Sequence, residues 1–186
     1  MMQQKSISIT FAGGDAGSWR VERMETVTGP ALPRVSRIAV IEGRDTPLPR
    51  QALWFLRGIT SYERYVRRAE HEMLVSRQPP LGRPAATCAA LIPICKSHEW
   101  WQLSQDERRE IFEERSHHIA AGLDYLPAIA RRLFHSRDLG EPFDFLTWFE
   151  YSSTDTGSFE ELVRKLRKTP EWVYVDREID IRLRRD

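Results

Sequence analysis

His118 and Arg131 are the two side chains whose types and spacing best support chemistry. The chain has five histidines, His71, His98, His117, His118 and His135. None sits in an H-E-x-x-H zinc pattern, and the chain has no G-x-S-x-G elbow, P-loop or G-x-G-x-x-G run. The usual hydrolase, kinase and dinucleotide signatures are therefore missing. His118 follows Glu114 by one helical turn and shares an apolar face with Ile111, Phe112, Arg115, Ile119 and Gly122. An imidazole there is either a hydrogen-bonded core histidine or a ligand, and periodicity leaves both open. Arg131 comes 13 residues later. On one continuous helix that spacing spans about 20 Å. Gly122, Asp124 and Pro127 interrupt the helix, so helix and following strand can fold back and hold a ligand between them.

Strand alternation separates Arg131 from its neighbour. With a two-residue period, Arg131 shares a face with Ile129 and Leu133, and Arg132 shares the other with Ala130 and Phe134. In the next strand Phe143, Phe145, Thr147 and Phe149 line one face. If the Arg131 face meets Thr147 and Phe149, a guanidinium stands among apolar and aromatic groups. A buried guanidinium needs a negative partner. That partner is a bound anion or an acid of the chain, Glu150 or Asp144.

The elements that must position these residues are legible mainly in the second half. Residues 87–96 form an apolar strand, in which Pro93 implies an edge or a bulge. Ser104 with Glu107 is a capping box that opens the helix carrying His118. Strands are expected over 126–135, 143–151 and 172–183, with a turn over 138–142. Ser158 with Glu161 reads as a second capping box, opening a helix that Thr169-Pro170 stops. The order is β-α-β-β-α-β, a ferredoxin-like unit. In the first half, 37–42 and 52–60 read as strands, 61–75 as a charged helix and 77–84 as a loop; residues 1–35 show only short, glycine-punctuated strand-like runs. The expected architecture is α+β. A truncated ferredoxin-like half over 1–84 joins a ferredoxin-like half over 85–186, with antiparallel sheets and helices on one face.

Composition narrows the function. The 28 basic and 27 acidic residues nearly cancel to +1, which argues against a nucleic-acid partner. No apolar run approaches the roughly 18 residues of a membrane span. Residues 1–10 show no signal-peptide pattern, so a cytoplasmic location is expected. Cys88 and Cys95 are the only cysteines. Seven apart on one strand, they read as two buried thiols of a reducing compartment.

Several spaced motifs together resemble the chlorite dismutase family. They are Leu56-Arg57-Gly58, Arg64-Tyr65-Val66, Trp100-Trp101, His118, Tyr125-Leu126, the run Arg131 to Ser136 and the run Asp144 to Glu150. The likeness covers roughly residues 52–175, and the short N-terminal part resembles the short, dimeric branch. The resemblance implies haem b and a homodimer. With C-x-x-C-H absent, that haem is non-covalent. It implies that His118 is the proximal iron ligand, that Glu171 hydrogen-bonds it, and that Arg131 stands on the distal side. It further implies propionate contacts from Lys96, Tyr65 and Trp101, a proximal aromatic in Trp100, and distal walls from Leu133, Thr147 and Phe149. Gln78 matches a distal glutamine that holds the arginine's position. The implied reaction takes chlorite to chloride and dioxygen, with Arg131 holding hypochlorite until the O–O bond forms. Two other classes stay open. One is a coproheme decarboxylase of haem synthesis, against which Arg131 counts, since that position there resembles an uncharged glutamine. The other is a haem-binding or sensing dimer with weak peroxidase activity.

Overall fold

In the computed structural model, which describes residues 6–43, 46–60 and 65–186, alternation along the strands sorts side chains into two cores. The strands are β1 (Ser8–Gly14), β2 (Trp19–Thr28), β3 (Arg37–Glu42), β4 (Trp54–Ile59), β5 (Cys88–Lys96), β6 (Ala130–His135), β7 (Phe145–Tyr151) and β8 (Val175–Arg185). They close into one barrel in the order β1-β3-β2-β8-β5-β7-β6-β4. Its pairings are antiparallel. The helices are α1 (Arg68–Arg77), α2 (His98–Gln102), α3 (Gln105–Arg109), α4 (His118–Leu123) and α5 (Thr156–Leu166). Among the described residues no helix is long and apolar enough to cross a membrane.

Inside the barrel Phe11, Trp19, Phe134 and Trp148 pack with Leu91, Leu146, Ile179 and Ile181. Phe11 and Trp148 stand 5.4 Å apart between ring centres, and Trp19 meets Trp148 edge-on at 5.3 Å. The outer face of β5 and β7 carries Ala90, Ile92, Ile94 and Phe149, covered by Ala121 of α4 and Phe159, Leu162 and Val163 of α5. β5 is thus buried on both faces, which is why it reads as an unbroken apolar run. Pro93 lies in a strand flanked by β7 and β8, not at an edge. The ladder to β8 passes from Leu91↔Ile181 to Ile94↔Glu178, so the missing N–H falls in a gap in that ladder.

Several expectations change. The antiparallel sheet and its helices are present, but the sheet closes on itself and both halves of the chain contribute strands to it. The barrel runs from one half into the other where β2 pairs β8 and β4 pairs β6. The second half follows the order β8-β5-β7-β6. The Ser104–Glu107 capping box forms as expected. The helix it opens is not continuous: α3 gives way to a π-helical segment, Glu110–Arg115, and then breaks before α4. At the break His117 takes a left-handed backbone, φ 51 and ψ 38. Ser158 lies inside α5, whose N-cap is Asp155, so the second capping box does not form. In the expected helix over 61–75, residues 61–64 lie outside the described residues, Tyr65 has φ 65, and the helix runs over Arg68–Arg77. Strands expected from Leu126 and Trp172 begin at Ala130 and Val175, because a turn and a single-turn 3₁₀ helix come first.

Candidate functional site

The register between β6 and β7 sets one side of the site. Arg131 lies opposite Phe149 and Leu133 opposite Thr147, all on the outer face of the barrel. Arg132 and Phe134 point the other way, Phe134 into the barrel core. Arg132 comes within 3.8 Å of Glu42. Asp144 and Glu150, the two acids named above beside a bound anion, each accept from other donors as well. Asp144 accepts from the Lys96 backbone, the Trp101 indole and Arg137. Glu150 accepts from the Gly82 backbone and the Trp148 indole. Gln78, the C-cap of α1, donates to the main-chain carbonyl of Arg131 at 3.0 Å. It therefore ties the strand backbone at Arg131 to the end of α1.

The other side is built around Glu171. It sits in the turn Pro170–Tyr174, is 3% exposed, and meets two partners. His118 Nδ1 is 2.7 Å from Oε2, and Lys96 Nζ is 2.6 Å from Oε1. Burial by itself raises the Glu171 carboxyl, but the His118 imidazole and the Lys96 ammonium outweigh it and hold the group at about 2. The backbone N–H of Glu171 donates to Ser116 Oγ at 3.0 Å, which ties the turn to the break before α4. The Phe112 ring stacks on the His118 ring at 4.4 Å. Lys96 Nζ lies 4.6 Å from the centre of the Trp100 ring, and Tyr65 meets that indole edge-on at 6.1 Å.

The structure thus gathers His118, Glu171, Lys96, Trp100 and Tyr65 on one side. It gathers Arg131, Gln78, Leu133, Thr147 and Phe149 on the other. Helix α4 joins them, with His118 at its start and Gly122 against the Arg131 guanidinium one turn later. Two of the expected propionate contacts differ in setting. Lys96 is buried with its ammonium on Glu171, so it belongs to the histidine's own network. Trp101 donates to Asp144 and lies beneath Arg137, 4.0 Å from its ring centre. The Tyr65 hydroxyl accepts from Arg108 at 3.4 Å. Sequence reading missed Glu113 and Ser116, and read Gly122 as a helix breaker, whereas it lies within α4. Their signal was a break in helical geometry that periodicity does not register.

These residues fit an iron porphyrin. The hydrogen bond of His118 at Nδ1 leaves Nε2 as the nitrogen that could hold a metal, and the acid at Nδ1 favours the tautomer such ligation would need. Leu133 stays 44% exposed although its face neighbour Phe149 is buried, an apolar wall suited to a flat ligand. The Trp100 indole N–H is buried and has no acceptor among the described residues.

Comparisons with known proteins bear on the family and the fold. Residues 49–184 match the family model described as chlorite dismutase. A curated relative from Ideonella dechloratans, a chlorite dismutase, is 36% identical over 86 residues. That match spans 46% of this chain and 28% of the relative, so the chain covers under a third of that relative's length. The crystal structure of dimeric chlorite dismutase from Nitrobacter winogradskyi superposes with a TM-score of 0.88 at 54% identity, covering 96% of this chain and 99% of that one. Chlorite dismutase from Candidatus Nitrospira defluvii, in complex with imidazole, shares the fold at TM-score 0.68 and 22% identity, over 95% and 90% of the two chains.

Proposed function

This chain belongs to the chlorite dismutase family, and from that membership we propose that it is a haem enzyme converting chlorite to chloride and dioxygen. One observation carries the proposal. A histidine tethered to a buried acid at 2.7 Å and an arginine of β6 seated against Gly122 meet the same face of one six-residue helix, one turn apart. A metal-ligating imidazole and an anion-binding guanidinium would thereby face one bound haem.

His118 would hold haem b through Nε2, and Glu171 would keep the proton on Nδ1 and make the imidazole a stronger donor. Bound haem supplies the redox chemistry: oxygen-atom transfer from chlorite and joining of the two oxygen atoms. Arg131 attracts the chlorite anion and orients it. It then keeps hypochlorite in place until both oxygens have left as dioxygen and chloride departs. Leu133, Thr147 and Phe149 wall this side without offering a general base, which suits a reaction that moves no proton. Gln78 keeps β6 in register beneath Arg131. Tyr65, Trp100 and Trp101 complete the cofactor's surroundings.

We also read the chain as a homodimer, in line with the dimeric relative that it matches almost end to end. The half over 85–186 is read as the ferredoxin-like, haem-binding half, supported by its strand order β8-β5-β7-β6.

The test is an oxygen electrode. Haem-saturated protein given chlorite evolves one dioxygen per chlorite, and Arg131→Ala turns over more slowly and releases hypochlorite to a trap. His118→Ala loses the Soret band of the bound haem. No dioxygen from haem-saturated wild type sinks the assignment.

A further inference from the structure

We propose that Glu113 is a positioning residue for His118: its carboxylate supplies the missing N-cap of the helix that carries the ligand and so sets the imidazole against Glu171. This rests on His118 as the haem ligand. Helix α4 has six residues, too few to hold its own shape in water. Its N-cap is His117, whose left-handed backbone places no side-chain acceptor over the helix's first N–H groups. A normal N-cap accepts from the second or third helical residue. Glu113 does both, from Ile119 N at 2.6 Å and from Ala120 N at 3.3 Å. It is 9% exposed, and its negative charge sits at the positive end of the helix.

The local backbone explains how a residue upstream of the cap reaches this place. The π-helical segment Glu110–Arg115 carries Glu113, and the left-handed His117 then redirects the chain. Together they lay the carboxylate beneath residues 119 and 120. Single turns of π-helix occur often where function imposes such an offset. The same break supplies Ser116, whose hydroxyl accepts from the Glu171 backbone. The two ends of the His118–Glu171 hydrogen bond are therefore held from one segment, the histidine through Glu113 and the acid through Ser116. The hydrogen bonds of the Glu113 carboxylate go to the backbone of α4 and not to the imidazole. Its effect passes through the pose of α4.

The test compares wild type with Glu113→Ala and Glu113→Gln in the full chain. In ligand-free protein, proton NMR with nitrogen-15 histidine reads the His118 Nδ1–H signal, which lies at low field while the bond to Glu171 is intact. In haem-loaded protein, resonance Raman reads the iron–histidine stretch. We expect Glu113→Ala to move the Nδ1–H signal to higher field and lower the stretching frequency. Glu113→Gln keeps one acceptor and should fall between. A cap that served only the fold would lower the melting temperature and leave both signals in place in the folded protein, and that result overturns the proposal. If Glu113→Ala does not fold, Glu113→Gln decides alone, and an Nδ1–H signal at the wild-type position overturns it. Failure of His118 to ligate haem shows separately, as a Soret band unchanged in His118→Ala, while the ligand-free signal still reports on Glu113.

Discussion

Gly122 and Arg131 meet so closely that no other residue fits at position 122 without moving the arginine. A β-carbon built on Gly122 would lie 2.7 Å from Arg131 Nη1 and 3.0 Å from its Cζ. The glycine clears a berth for the guanidinium on the same helix that carries His118.

Gly122→Ala should therefore push the guanidinium off its position and impair handling of the anion. We expect about a tenfold fall in kcat/KM for chlorite, or ~1.4 kcal/mol of barrier, with hypochlorite leaking into solution. Alanine favours a helix over glycine by about 0.8 kcal/mol, so the melting temperature should hold or rise. Steady-state oxygen release with a hypochlorite trap checks this; wild-type turnover without leakage would show that the berth does not matter.

Glu171 makes a stability signature at acid pH. Its folded carboxyl is held at about 2, below the ordinary value of 4.5, so it takes up its proton less readily in the fold than in the unfolded chain. The stabilising contribution is fully present above pH 4.5 and is lost as pH falls toward about 2. Urea titrations of the ligand-free protein across that window should fall more steeply for wild type than for Glu171→Gln. Parallel curves would mean the carboxylate is not stabilised by His118 and Lys96.

Lys96→Met tests the buried pair itself. Both side chains are nearly inaccessible, 5% and 4% exposed, and once the ammonium is gone the carboxylate keeps only His118 as a side-chain partner among the described residues. Breaking such a pair from one side costs about 3 kcal/mol. The drop should appear as a lower denaturation midpoint of the ligand-free protein, and a midpoint within error of wild type contradicts it.

Gly58 tests the closure of the barrel. β4 and β6 pair through Ile59↔His135, and beside that pair a β-carbon on Gly58 would lie 2.7 Å from Phe134 Cβ. Gly58→Ala should force the strands apart at the cost of about 1–3 kcal/mol, typical of overpacking a filled core. Thermal melting measures it; unchanged stability would show that this contact can relax without loss.

Some of the site is legible residue by residue, because local periodicity carries the information. Alternation separates Arg131 from Arg132, and the β6/β7 register places Leu133 and Thr147 side by side. β3 matches its apolar run over Arg37–Glu42. β2 hides from the same method: most of Trp19–Thr28 is exposed, so its ten residues show no apolar period. The broken helix hides for another reason. Residues 105–123 keep an apolar face throughout, and nothing in that pattern signals the π-helical segment or the left-handed His117.

What the sequence by itself determined are the side-chain types and their local facing: one histidine on an apolar helix face, one arginine on an aromatic strand face, and no common catalytic motif to compete with them. Only the tertiary structure decided which groups meet. Lys96 and Glu171 are 75 residues apart in the chain and His118 and Glu171 are 53 apart, yet one carboxylate binds both. Closure of the sheet into a barrel and the break before α4 bring them together. Neither is encoded in any short window, since each depends on burial shared between distant segments.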